Sequence, residues 1–183
     1  MARPAATGAL GIAAGQSHDT VMSYFQPIDK EEQLVLILAL YILERLDNRK
    51  PTKRQVLRLI RARELLVIHD GDSEIRSTGE EKLDNDLAWA REDAKERGFL
   101  TMPEIGVWQL TNAGREWLLK KAEQWRGIYE KDPESMNGFL RGCQRINAVT
   151  FTHMVLIGRG IDVTKRPKEL LGGDKPIERQ RPN

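Results

Sequence analysis

An unbroken apolar segment from Leu34 to Leu43 limits most strongly how this chain can fold. Its ten residues are only about half of the ~20 that a membrane-spanning helix needs. The surrounding pattern predicts a helix from about Lys30 to Asp47, with Glu31 and Glu32 at the end where a helix favours negative charge. Because its middle is apolar on every side, this helix is expected at the centre of a core, and no membrane association is predicted.

The elements that follow are marked by end signals and periodicity. Thr52, with Gln55 three residues later, predicts the start of a second helix through a capping box. A third helix is expected over about 80–97, with an amphipathic stripe of Leu83, Leu87, Ala90 and Ala94. Two short strands, 100–102 and 107–110, and a fourth helix capped by Thr111 complete the series. This order predicts a mainly α protein with a winged helix-turn-helix domain, consisting of three helices and a short β-hairpin wing.

The same patterns divide the chain into four parts. A flexible N-terminal arm is predicted over 1–29, the winged-helix domain over 30–127, a helical extension and possible dimerisation element over 128–161, and a flexible basic tail over 162–183. Residues 148–158 could continue a helix or form a strand, and a helix is favoured. A single cysteine excludes a disulfide framework, so a cytoplasmic setting is expected.

The net charge of +2 conceals an uneven distribution. Residues 31–64 carry a net +3, residues 65–98 a net −5, and residues 131–183 a net +4. Between residues 49 and 63 every charge is positive. Such a basic segment is typical of phosphate contact, although most charge runs form only a solvated helix face.

The segment over 83–119 resembles the N-terminal winged-helix domain of Mrr-type restriction system proteins. The resemblance spans about 30–122 and rests on Leu83-Asp84-Asn85, Trp89-Ala90-Arg91, Gly98-Phe99-Leu100, Gly106-Val107-Trp108 and Leu110-Thr111-Asn112-Ala113-Gly114. It implies a DNA-binding module, which in that family is usually fused to a nuclease domain. The roughly sixty residues after Trp125 are too few for that nuclease fold plus a tail. Where the family often has arginine, this chain has Asp86 and Ala88, and its third helix carries seven acids against four bases over 80–97.

These observations predict a non-catalytic protein that binds double-stranded DNA, as a restriction-system-like recognition module or a regulator. Phosphate contacts are expected from the second helix and the turn before it, and base contacts from the outer side of the third helix. The predicted DNA-binding residues are Arg49, Lys50, Lys53, Arg54, Arg58, Lys82, Asn85 and Arg91. The alternative is a protein-protein interaction module, in which the acidic third helix binds a basic partner or the C-terminal helix forms a homodimer.

No enzyme site, metal or cofactor is predicted. Asp93-Ala94-Lys95 resembles the end of a nuclease motif but lies in the middle of a helix, and the three histidines lack metal-ligand spacing. Cys143 is expected to be buried in apolar surroundings. Trp89 and Trp108 are predicted to lie in the core, rather than to stack on a base or contact a methyl group.

Overall fold

The computed structural model describes residues 30–165, which form six α-helices and one two-stranded sheet. The helices are α1 (Glu31–Arg45), α2 (Lys53–Ala62), α3 (Lys82–Glu96), α4 (Asn112–Lys131), α5 (Ser135–Gly142) and α6 (Ala148–Gly158), and the strands are β1 (Leu100–Thr101) and β2 (Gln109–Leu110). The predicted fold class is confirmed: three helices, a hairpin and a helix are followed by a helical extension. The predicted arm over 1–29 lies outside the described residues.

Helix α1 is the centre of the core, as its apolar sequence predicts. All residues from Gln33 to Leu40 are buried in it, and it packs against α2, α3, α4 and β2. The apolar faces of the surrounding helices point toward it, including Val56 and Ile60 of α2 and Leu83 and Leu87 of α3. The helices that border the candidate site are therefore held in place by a shared central element.

The wing is a short antiparallel hairpin with a third backbone segment beside it. Leu100 of β1 pairs with Leu110 of β2. On the other side of β2, the N–H of Trp108 donates to the carbonyl of Pro51 at 2.9 Å, and the N–H of Lys53 donates to the carbonyl of Gly106 at 3.0 Å. The start of α2 is thus joined directly to the wing. Thr52 also forms the predicted capping box with Gln55.

Two glycines explain how α3, the wing and α4 connect so tightly. Gly98 adopts a φ of +73° after α3, and the N–H of Phe99 donates to the carbonyl of Ala94 at 2.8 Å, which closes the helix end. Gly114 lies in the first turn of α4, where a Cβ would be 2.1 Å from the carbonyl oxygen of Phe99. Thr111 caps this helix by accepting from the Gly114 N–H at 3.0 Å.

The extension is integrated with the preceding domain rather than separate from it. The predicted boundary at residue 127 falls inside α4, and α4 packs against α6. At their crossing, a Cβ on Gly158 would be 2.4 Å from the carbonyl oxygen of Ala122. The helical extension predicted over 128–161 is interrupted at 132–134 and 143–147, and residues 148–158 are helical, as favoured.

The apolar residues of α6 are buried within the chain itself. They include Phe151 and every residue from Met154 to Ile157. The structure therefore does not support the predicted homodimer through the C-terminal helix, because the face that would form it is already covered. The predicted start of the tail at residue 162 is also too early: Val163 is 1% exposed. The rest of the tail lies outside the described residues.

Candidate nucleic-acid interface

An open groove of about 850 Å³ lies between α2 and the beginning of α3. Its lining is mostly basic on the α2 side and acidic on the α3 side, and consists of Lys53, Arg54, Leu57, Arg58, Arg61, Ala62, Glu80 and Asp84. The groove exists because α2 turns its apolar residues toward α1. The arginines of α2 consequently point away from the core.

The cations on the inner side of the groove are neutralised by α3 and the segment before it. Lys53 lies 2.6 Å from a carboxylate oxygen of Glu80. Arg61 contacts Glu81 at 2.8 Å and Asp84 at 2.6 Å. These side chains bridge the two helices and are less available to an external anion.

The cations on the outer side remain unpaired within the described part of the chain. Arg54 and Arg58 are exposed, and neither forms an ion pair with another residue between 30 and 165. The same holds for Arg49 in the preceding turn. Lys50 lies 3.7 Å from Glu104 of the wing, and both side chains are mostly exposed. Four of the five predicted phosphate-contact residues are therefore accessible along α2 and the turn before it, and two of them, Arg54 and Arg58, line the groove.

The acidic residues of the third-helix region are largely neutralised as well. Six of its seven carboxylates have a cation within 4 Å, at Glu80, Glu81, Asp84, Asp86, Glu92 and Asp93. Only Glu96, at the end of α3, has no such partner among residues 30–165. The excess of acids on the third-helix region is consequently not a free negative surface.

The three polar residues predicted on the outer side of α3 have different positions. Asn85 is half-buried, lies opposite the Leu83–Leu87 stripe, and makes no side-chain hydrogen bond with the described residues. Lys82 lies at the flank, 2.8 Å from Asp86. The predicted outward position of Arg91 is wrong. Its guanidinium bends back toward the wing, beside Glu92 and 5.7 Å from the centre of the Trp108 ring.

The two tryptophans predicted in the core also differ. Trp108 is 2% exposed and packs under the wing, as expected. Trp89 is 66% exposed on α3, so its predicted core position is wrong. The stripe of Leu83, Leu87 and Ala90 could have indicated this outcome. Trp89 is adjacent to Ala90 in sequence but points about 100° away from it around the helix.

A buried ion pair next to this surface was not predicted from the sequence. Arg145, in the connection between α5 and α6, donates to both carboxylate oxygens of Asp72, at 2.5 and 3.0 Å, and to Glu32 at 3.2 Å. This bidentate pairing lowers the pKa of Asp72 to about 2 and raises that of Arg145. Glu31 completes the junction by accepting from the backbone N–H groups of residues 144–146.

Other reactive side chains are placed where chemistry is disfavoured. Burial raises the pKa of the Cys143 thiol to about 12, which keeps it protonated and unreactive. Burial also lowers the pKa of His153, whose Nδ1 lies 2.8 Å from the carbonyl of Val149.

Between residues 30 and 165, no three histidine, cysteine or carboxylate side chains are close enough together to hold a metal ion. Within the same range, no helix has the length and apolarity to cross a membrane.

The comparisons with known proteins agree with the motifs on α3, the wing and α4. The family model of the Mrr N-terminal domain matches residues 38–120. Neither the comparison with curated proteins nor that with solved structures gives a match. The match contains α2, α3 and both strands, together with Gly98, Thr111 and Gly114, whose structural roles are described above. Residues 38–120 of this chain are therefore similar to the Mrr N-terminal domain, a domain related to restriction systems.

Proposed function

We propose that this chain binds double-stranded DNA without catalysing a reaction on it. It would act as a recognition module or regulator related to restriction systems. The observation that carries the proposal is the division of the cations of α2. The inner ones are paired with carboxylates, while Arg54 and Arg58 are exposed and have no ion-pair partner among residues 30–165. Two unpaired arginines one helical turn apart are suited to contact phosphates along a duplex backbone.

The proposed phosphate contacts come from the rim formed by α2 and the turn before it. Arg54 and Arg58 lie one helical turn apart, and Arg49 and Lys50 continue the positive surface toward the wing. Lys53 is a weaker contributor because Glu80 is 2.6 Å away. This rim would supply the affinity that is independent of sequence and sensitive to salt.

The proposed base contacts come from the adjacent outward side of α3. A helix in the major groove reads base edges with residues near its N-terminus, and Asn85 is in the first turn of α3. Lys82 would contact a phosphate if its pairing with Asp86 yields to the duplex. Arg91 would support this surface from behind by holding α3 against the wing.

The neutralisation of α3 by its neighbours argues against the alternative function. A partner-binding surface of acidic residues would need free carboxylates, yet six of the seven have a cation within 4 Å. The apolar side of α6 is likewise covered by α4. Neither feature offers an accessible docking surface for a basic protein or a second copy.

The proposal is tested by measuring binding of a labelled mixed-sequence duplex at low salt. Arg54→Glu combined with Arg58→Glu should weaken binding on the order of a hundredfold. Lys120→Glu combined with Arg141→Glu is the matched control: it makes the same charge change on α4 and α5, which do not line the groove, and should have a much smaller effect. Absence of binding by the unaltered chain, or equal loss in both double variants, would overturn the proposal.

A further inference from the structure

Trp89 is the most unusual residue on the outward side of α3. It is 66% exposed, although a tryptophan side chain offers a large apolar area that folding normally covers. Asn85 lies one helical turn before it, and the small Ala88 is between them in sequence. Residues four apart on a helix are neighbours. An amide and an aromatic ring are therefore presented side by side on this face.

The charges around this pair indicate what could cover it. The groove meets α3 at Asp84, the residue before Asn85, and the unpaired Arg54 and Arg58 line its other side, while the carboxylates of α3 are mostly neutralised. An apolar protein surface would gain nothing from those arginines. A DNA major groove would satisfy both features, because its rims are phosphates and its floor carries base edges and methyl groups.

We infer that Asn85 and Trp89 together recognise A·T base pairs in the major groove, with the amide of Asn85 on adenine and the ring of Trp89 against the 5-methyl group of thymine. This inference rests on the proposed DNA-binding function and names its specificity. The side-chain N–H of asparagine can donate to N7 of adenine while its amide oxygen accepts from the N6 amino group, and thymine carries a methyl group in the same groove. No other unmodified base pair presents both features.

The test compares alternating poly(dA-dT), poly(dA-dU) and poly(dG-dC) duplexes as competitors against the labelled mixed-sequence duplex. All three carry the same phosphate charge per length, so the electrostatic contribution is held constant. Poly(dA-dU) differs from poly(dA-dT) only by the thymine methyl group. The unaltered chain should bind poly(dA-dU) about fourfold more weakly than poly(dA-dT), and poly(dG-dC) more weakly still.

The variants separate the two residues. Trp89→Ala should bring the ratio of the affinities for poly(dA-dT) and poly(dA-dU) close to one. Trp89→Phe should keep the ratio of the unaltered chain. Asn85→Ala should reduce the preference over poly(dG-dC) on the order of tenfold while keeping the sensitivity to the methyl group. Leu119→Ala is the matched control, since it removes an exposed apolar side chain from α4 and should leave every ratio unchanged.

The possible failures are distinguishable. Binding to all three polymers with equal affinity would overturn the inference and leave the proposed function standing. The inference would also be overturned if Trp89→Ala left the affinity ratio between poly(dA-dT) and poly(dA-dU) unchanged. The assignment to A·T pairs would be overturned if 5-methylation of the cytosines in poly(dG-dC) raised the affinity while poly(dA-dT) and poly(dA-dU) bound equally well. Failure to bind any of the polymers at low salt would contradict the proposed function itself.

Discussion

The junction around Arg145 and the rim around Arg54 and Arg58 use the same kind of side chain in opposite ways. Arg145 is 7% exposed and is held by two oxygens of Asp72 and by Glu32. Arg54 and Arg58 are exposed and form no ion pair with residues between 30 and 165. An arginine whose donors are already occupied stabilises the fold, whereas one with free donors can bind an external anion.

This difference changes what the charge distribution means. The acidic segment over 65–98 could be expected to repel DNA, but most of its carboxylates are paired with Arg61, Lys53, Arg145 and other cations of the same chain. Unpaired positive charge remains at the outer rim of α2, on Arg54 and Arg58. The net charge of a segment therefore says less about binding than the number of its charges that lack a partner.

Loss of Arg145 is expected to have the largest effect on stability. Arg145→Ala would leave the buried Asp72 with only Lys82, 3.7 Å away, as a cationic partner among the described residues. The free energy of unfolding should therefore fall by about 3 kcal/mol, measured by denaturant titration. Arg54→Ala is the matched control and should change it by less than about 0.5 kcal/mol, because Arg54 is exposed and unpaired among the described residues.

The outcome remains interpretable if Arg145→Ala does not fold. Arg145→Lys keeps the positive charge and should lose less stability than the alanine variant, since one ammonium cannot reproduce the bidentate contact. Combining Asp72→Ala with Arg145→Ala should cost less than the sum of the two single changes. Equal losses for Arg145→Ala and Arg54→Ala would contradict the distinction between the two regions.

Acid should weaken the junction over a defined pH range. The pKa of Asp72 is lowered from 3.8 to about 2 in the folded chain. Its stabilising contribution of about 2 kcal/mol is therefore complete above about pH 4 and is lost as the pH falls toward 2. Denaturant titrations at several pH values check this. The free energy of unfolding of Asp72→Asn should decline less steeply with falling pH than that of the unaltered chain. Parallel curves of unfolding free energy against pH would contradict the assignment to Asp72.

A smaller effect is expected from the acidic lining of the groove. Asp84→Asn removes a negative charge from the groove and leaves Arg61 with only Glu81 as an anionic partner. Duplex affinity should rise about two- to fivefold at low salt, since exposed pairs of this kind are weak. Glu96→Gln removes an equal charge at the far end of α3 and serves as the comparison. A decrease for Asp84→Asn would show that this carboxylate supports the interface.

The framework of the fold was predictable because it depends on local signals. The capping box at Thr52, the Gly98 stop and the Thr111 cap fix the ends of helices through contacts within a few residues. The apolar run of α1 and the stripe on α3 fix which sides are buried. These same elements place α2 next to α3, so the exposed positions of Arg54 and Arg58 could also be predicted.

The features that were missed depend on contacts between distant parts of the chain. Asp72 and Arg145 are 73 residues apart, so no local pattern in the sequence pairs them. Residues of α6 are buried on nearly all sides, a pattern that periodicity does not distinguish from a strand. Arg91 turns toward Trp108 of the wing, a contact that no spacing within α3 indicates. Partner assignment for each charge therefore required the three-dimensional arrangement.

The salt dependence of duplex binding tests the central claim most directly. The logarithm of the binding constant is measured against the logarithm of the salt concentration for the unaltered chain and for Arg54→Ala combined with Arg58→Ala. If both arginines contact phosphates, the magnitude of the slope should fall by about 2 in the double variant. An unchanged slope would contradict the claim that the unpaired arginines of α2 bind DNA.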